Sequence, residues 1–229
     1  MIVHVMRRAK AAGIGPVVVA CGDAVIADVV QAAGGQAVLT DPALPSGSDR
    51  IHDALRRIDP AGYHQVVINL QGDLPSLNPS SLSEVLAVLE DRQFDIATLV
   101  ALITNEAEAG AESVVKVACD FGQGTIASAR VAPALYFSRR PIPWGEGPLW
   151  HHVGIYAFRR QALDRFVAAP PTLLERRESL EQLRALEIGL RIGCARIQQA
   201  PFGVDTPEDL DHVRREISLT LERSAQEQS

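Results

Sequence analysis

The sequence predicts an α/β fold, with a mostly parallel sheet flanked by helices followed by an antiparallel or mixed portion. Three observations predict it. From Ile2 to Glu90, short β-branched apolar runs alternate with amphipathic helical stretches. After Asp95 the rhythm changes to a series of strand-like runs, with few helical stretches between them. The composition is 47% hydrophobic but only 5% aromatic, so a core of Ala, Val, Leu and Ile is available to fill the space between layers.

The elements follow in order. Ile2, Val3, Met6 and Ala9 share one side of a helix over Ile2 to Ala12, and Gly13 supplies its stop. Pro16 to Cys21 is a short β-branched run and predicts a buried strand. Ala24 to Ala33 reads as a helix closed by Gly34-Gly35, and Ala37 to Thr40 as a strand. Ser46 to Arg50 opens a helix running to Ile58, with Ser48 as the expected N-cap. Val66 to Leu70 is a third buried strand, and Gln71-Gly72-Asp73 turns off its end. Ser80 to Glu90 is helical.

Strand-like runs then cover Asp95 to Ile103, Val114 to Asp120, Thr125 to Val131, Leu135 to Ser138 and Val153 to Phe158. Phe121-Gly122-Gln123-Gly124 is a hairpin signal. Glu178 to Gly189 reads as one helix and Leu190 to Gln198 as a strand. A last helix starts at Thr206-Pro207-Glu208-Asp209, which combines an N-cap, a first-turn Pro and two acids. Residues 1–223 are expected to form one domain, and 224–229 a frayed polar tail.

The formal net charge of −6 argues against duplex nucleic acid as a partner, which asks for a basic face. Cys21, Cys119 and Cys194 form no C-x-x-C pair and are odd in number, which fits a reducing cytoplasm and small core side chains. No apolar run approaches the length of a membrane span, and the first residues lack the layout of a secretory signal.

In parallel sheets, ligands bind beyond the carboxyl ends of the strands. Asp73 stands at such a place, where a hard cation takes oxygen ligands. Asp205 lies just before a helix. Taken alone, these are turn and capping residues. Together they suit one Mg²⁺, which takes one or two carboxylates beside phosphate oxygens and water. Ser46 to Arg50 offers backbone N–H groups at a helix start, suited to an anion or a nucleobase edge, or to an ordinary capped helix. Ser138-Arg139-Arg140-Pro141-Ile142-Pro143-Trp144 places two Arg before a rigid turn, where a carboxylate would find planar donors.

His152, Gly154 and Tyr156 fall on one face of a strand by its period of two. Adjacent His151 and His152 point opposite ways, so we read no His metal pair, and take His152 and Tyr156 as hydrogen-bond partners for a polyol. Glu181 and Gln182 lie on an amphipathic helix within reach of a substrate, with a solvated face as the ordinary alternative.

Taken together, six blocks in this order resemble the 3-deoxy-manno-octulosonate (Kdo) cytidylyltransferase family: Ser46-Gly47-Ser48-Asp49-Arg50; Asn69-Leu70-Gln71-Gly72-Asp73; Tyr136-Phe137-Ser138-Arg139 with Ile142-Pro143-Trp144; His152-Val153-Gly154-Ile155-Tyr156; Leu180-Glu181-Gln182-Leu183-Arg184; and Gly203 to Leu210. The resemblance runs along nearly the whole chain. It implies a Rossmann-like, nucleotide-diphospho-sugar transferase-like fold. It also implies transfer of CMP from CTP to Kdo with release of pyrophosphate, for lipopolysaccharide biosynthesis. Mg²⁺ would be the cofactor, and the protein a cytoplasmic homodimer. By the same resemblance Asp73 and Asp205 match Mg²⁺-binding catalytic aspartates, and Ser46 and Gly47 the segment near the cytosine. Arg50, Gln71, Arg139, His152, Tyr156, Glu181 and Gln182 match positions around the sugar acid.

The chain departs from the family pattern at its start. The family begins with a strand and a basic loop of the form I-P-A-R-x-x-S-x-R-x-P-x-K-P-L, whereas Met1-Ile2-Val3-His4-Val5 matches the helix after that loop. The expected consequence is unpaired backbone groups in the sheet and an exposed apolar flank. Cys21-Gly22-Asp23 and Leu74 also differ from many relatives, and no role is assigned to Asp23. Two other readings stay open: a cytidylyltransferase for another sugar acid, and an inactive binding or regulatory homologue. A dinucleotide oxidoreductase lacks a G-x-G-x-x-G between strand and helix.

Overall fold

A computed structural model of the chain describes residues 1–122, 130–204, 206–211 and 213–215. The expected strand over Thr125 to Val131 and the hairpin tip at Gln123 and Gly124 lie largely outside these residues, as does Asp205.

Helix α1 (Ile2–Ala11) buries Val5, Met6 and Ala9 and leaves its basic residues outside. Strand β1 (Val18–Cys21) follows. Helix α2 (Ala24–Ala32) is capped by Asp23, whose carboxylate accepts from the Val25 N–H at 2.8 Å, so Asp23 has the local role that the sequence reading left blank. Strand β2 (Gln36–Leu39) pairs with β1 in parallel. The N-cap of helix α3 (Gly47–Ile58) lies two residues earlier than expected. Ser46, not Ser48, has the extended backbone that a cap needs, and its hydroxyl accepts from the Asp49 N–H at 3.2 Å.

Strand β3 (Val66–Asn69), helix α4 (Ser80–Val88), strand β4 (Ile96–Leu102), helix α5 (Glu106–Gly110) and strands β5 (Lys116–Ala118), β6 (Val131–Pro133) and β7 (Tyr136–Ser138) lead to the long strand β8 (Trp150–Arg159). Helices α6 (Arg160–Ala168), α7 (Leu173–Glu178) and α8 (Gln182–Glu187) precede strand β9 (Ile192–Ile197). The helix expected over Glu178 to Gly189 is therefore α8 alone, and Glu178 instead ends the separate helix α7. Ser179 breaks them with a left-handed backbone at φ 55° and ψ 47°. Residues 207–211 and 213–215 are helical, and Thr206 and Asp209 cap each other reciprocally at 3.2 and 2.9 Å, as the sequence predicts.

The larger sheet has the order β6-β9-β4-β8-β5-β7, with β3 beside the other half of β8. The fold class is the expected α/β with a mixed sheet. Direct parallel pairs among the described residues are β1 with β2 and β4 with β9, while β3, β4 and β5 all meet β8 antiparallel. Alternation along the strands divides the core. Ile96, Val100, Tyr156, Phe158 and Ile192 face one side with α6 and α8, and Ala97, Leu99, Ile155 and Ala157 face the other with α4. On that second side α4 lies very close to β9. A Cβ on Gly193 would come within 2.5 Å of Val88 and 2.8 Å of Phe94, so the contact requires glycine.

Strand β1 pairs along one edge with β2, and β3 along one edge with β8. Between β1 and β3 lies a cleft of about 530 Å³, lined mainly by apolar residues of both strands and of α1, α3 and α4. The two strands have no strand partner on their second edges among the described residues.

Candidate active site

The carboxyl end of β3 meets the first turn of α3 and the start of α8. Ser46 spends its hydroxyl on the cap, donating to Asp49 Oδ2 at 2.6 Å as well as accepting from the backbone. Gly47 keeps the next position open. A methyl group there would lie 3.5 Å from Gln71 Nε2 and 3.9 Å from Asn69 Nδ2. Ser48 is fully buried and donates to Glu181 Oε1 at 2.8 Å. Its mis-assignment as the cap hid this bond, which joins residues 133 positions apart.

Glu181 and Gln182 stand before and at the start of α8, and with Tyr156 they line a small apolar cavity of about 10 Å³, too small for more than one water. Burial, followed by the nearby Glu181 charge, pushes the Tyr156 phenol well above its ordinary pKa, so it is a neutral donor. Asn69 lies opposite Tyr156 in the β3–β8 register. Thus Gly47, Gln71, Tyr156, Glu181 and Gln182 come together with Ser48 and Asn69, two residues to which the sequence pattern gives no site role.

His152 lies deeper on the same face, its ring 5.4 Å from that of Tyr156 and edge-on to Phe137 at 4.9 Å. The β4–β8 register jumps between Thr98↔Tyr156 and Leu99↔Val153, so β8 carries two additional residues there. An even insertion preserves the period of two, which is why His152 and Tyr156 still share a face. Thr98 Oγ1 reaches the Val153 and Ile155 carbonyls at 3.1 and 2.9 Å and His152 Nε2 at 3.0 Å. The hydroxyl has one proton. Donated to a carbonyl, it leaves a lone pair to accept from Nε2–H, which assigns His152 as the neutral Nε2–H tautomer. Burial lowers the His152 pKa to about 3, in accord with that neutral ring. The signal for Thr98 was present in the sequence as one hydroxyl in the apolar run Ile96 to Ala101.

Arg139 and Arg50 are placed otherwise than on this cluster. Arg139 donates to the carbonyls of Glu178 at 3.0 Å, Glu112 at 3.0 Å and Ser179 at 3.3 Å. Glu178 in turn accepts from Ser138 Oγ and the Arg139 N–H. Lys116, fully buried, donates to the Arg139 carbonyl at 3.0 Å. Arg139 therefore clamps the α7–α8 junction that delivers Glu181. Arg140 pairs with Glu112 at 3.1 Å on the surface, and Trp144 is 98% exposed. Arg50 donates to Thr40 Oγ1 at 2.7 Å and to the Asp41 carbonyl at 3.1 Å, at the far side of the cleft by the end of β2. Arg184 of the same block pairs with Glu175 and lies 4.6 Å from the Phe166 ring centre, a core role.

Asp73 sits half-buried in the turn after β3, and its carbonyl accepts from the Val204 N–H at 3.0 Å. This bond ties the segment immediately before Asp205 to the Asp73 turn. Among the described residues no three His, Cys, Asp and Glu side chains gather as a metal cluster. Asp73 offers carboxylate oxygens of the kind Mg²⁺ takes, while Asp205 lies outside the described residues. His151 bonds Glu108 at 2.8 Å, away from His152 and its Thr98 partner. The three cysteines are free, with Cys21 and Cys194 buried. No helix among the described residues is long and apolar enough to cross a membrane.

A layered α/β sheet with a polar cup at a strand's carboxyl end has its site where nucleotide-binding α/β proteins place theirs. The cytidylyltransferase family model matches residues 1–192. A 3-deoxy-manno-octulosonate cytidylyltransferase of Rhodospirillum centenum is 55% identical over 93% of this chain and 82% of its own length. One from Parvibaculum lavamentivorans is 53% identical over 95% and 83%. The solved structure of CMP:2-keto-3-deoxy-manno-octonic acid synthetase complexed with CTP superposes with a TM-score of 0.84 at 36% identity, covering 96% of this chain and 88% of that one. The chain belongs to the 3-deoxy-manno-octulosonate cytidylyltransferase family.

Proposed function

We propose that this chain transfers the CMP moiety of CTP to 3-deoxy-manno-octulosonate, giving CMP-Kdo and pyrophosphate. The observation that carries the reading is the polar cup in which Ser48, Gln71, Tyr156, Glu181 and Gln182 converge beside the cleft, in a chain of this family. A hydroxyl oxygen of the sugar acid attacks the α-phosphorus of CTP. The bond from that phosphorus to the pyrophosphate oxygen breaks, and the hydroxyl proton passes to solvent. Little covalent work falls to the protein, and orientation and charge placement lower the barrier.

The cup supplies a dry set of donors and acceptors for a polyol, with Tyr156 and His152 neutral and Glu181 as an anionic acceptor. Arg139 is a positioning residue that sets the α7–α8 junction. Asp73 and Asp205 would hold Mg²⁺, which supplies positive charge to the phosphate oxygens and acidifies the attacking hydroxyl. Cytoplasmic location, a homodimer and a place in lipopolysaccharide biosynthesis belong to the same proposal, carried by the family alone.

Pyrophosphate release measured with CTP, Mg²⁺ and a panel of sugar acids tests it. Release with Kdo and at least about a hundredfold less with a sialic acid is expected, since a cup built to bond particular hydroxyls rejects a mismatched polyol. Equal release with a sialic acid would shift the substrate, and CTP binding without release would favour a binding module.

A further inference from the structure

Two buried polar atoms next to the first turn of α3 have no hydrogen-bond partner among the described residues: Asn69 Nδ2 and Glu181 Oε2. Asn69 is 3% exposed. The amide lies beside Gly47, while the carboxylate is held through its other oxygen by Ser48, the next residue. One is a donor and the other an acceptor. Unpartnered groups of this kind in a dry site call for a partner that the protein does not itself supply.

We propose that Asn69 is a specificity-determining residue, its side-chain amide donating to a hydroxyl of the polyol acceptor that Glu181 Oε2 in turn accepts from. The proposal rests on the reading of this cup as the polyol site. A hydroxyl is the matching group because it both accepts and donates. A phosphate oxygen only accepts, and it would meet repulsion at Glu181. Asn69 cannot serve as a turn or cap residue, since it ends β3 in register with Tyr156. Its burial would ordinarily select an apolar side chain at that place.

The test compares the wild type with Asn69→Leu, which keeps the γ-branched shape and removes the polar atoms. Titration calorimetry with Kdo in the presence of CTP and EDTA, without Mg²⁺ so that no turnover occurs, is expected to show at least about a tenfold loss of Kdo affinity in Asn69→Leu, with CTP affinity unchanged. In the absence of substrate, Asn69→Leu is expected to melt at or above the wild-type temperature, because an unpaired buried amide has been removed. Unchanged Kdo affinity overturns the proposal. So does a lowered melting temperature without substrate, which shows that the amide has an internal partner, and this arm needs no substrate identity. If the wild type binds a different sugar acid and Asn69→Leu weakens that binding, the Asn69 assignment stands and the Kdo reading falls.

Discussion

The backbone N–H of Val204 donates to the carbonyl of Asp73 at 3.0 Å. Residues 131 positions apart in the chain are thereby fixed side by side, and the residue following Val204 is Asp205. The segment ending at Val204 is thus bonded to the turn that carries Asp73.

Replacement of Asp73 by Asn is expected to reduce pyrophosphate release on the order of a hundredfold or more, the scale for losing one element of electrostatic stabilisation. The fold should survive, since the bond to Val204 uses the main chain. Steady-state kinetics beside a circular dichroism melt checks both parts, and turnover near wild type would remove Asp73 from the metal assignment.

Thr98 holds the bulge of β8 together. Thr98→Val keeps the shape but removes the one proton shared between the Val153 and Ile155 carbonyls and the acceptor of the His152 Nε2–H. A loss of about 3 kcal/mol in denaturant unfolding is expected, the scale of buried groups left unsatisfied. A loss below about 1 kcal/mol would show that these groups have other partners.

The buried His152 also makes stability depend on pH. Its folded pKa of about 3 lies below the ordinary value of 6.5, so the unfolded chain binds the proton more readily between those values. This contribution is fully present above pH 6.5 and is lost as the pH falls toward 3, by about 1.4 kcal/mol per unit within the window. Unfolding free energies of the wild type and His152→Gln between pH 7 and 4 should converge as the pH drops. Parallel curves would contradict the neutral-imidazole assignment.

Arg184 and Glu175 form a buried pair that closes α7 against α8. Arg184→Met alone is expected to cost about 3–5 kcal/mol, because it strands a buried carboxylate, whereas Arg184→Met with Glu175→Leu should recover most of that. Equilibrium denaturation of the single and double variants reads the difference. A double variant as unstable as the single one would mean that Arg184 acts through packing on Phe166 alone.

Much of this was legible in the sequence, for reasons that differ by element. The period of two placed His152 and Tyr156 on one face, and survived the bulge because two residues were inserted rather than one. The alternating first portion was readable from its β-branched runs. What failed was set by long-range bonds. Ser48 looked like a cap because Ser, Gly and Asp all favour helix starts, and only its contact with Glu181 separates it from Ser46. The break at Ser179 has no Gly or Pro to announce it, since it is held by Arg139 and Glu178. Arg139 reads as a ligand group in sequence because nothing local shows that three distant carbonyls engage it. Asn69 was hidden inside a block whose other members drew the chemistry.

The most direct measurement is mass spectrometry of the product formed by the wild type from CTP, Kdo and Mg²⁺. The account predicts CMP-Kdo and one equivalent of pyrophosphate for each CTP consumed. Binding of CTP and Kdo to the protein with no CMP-sugar formed would contradict it.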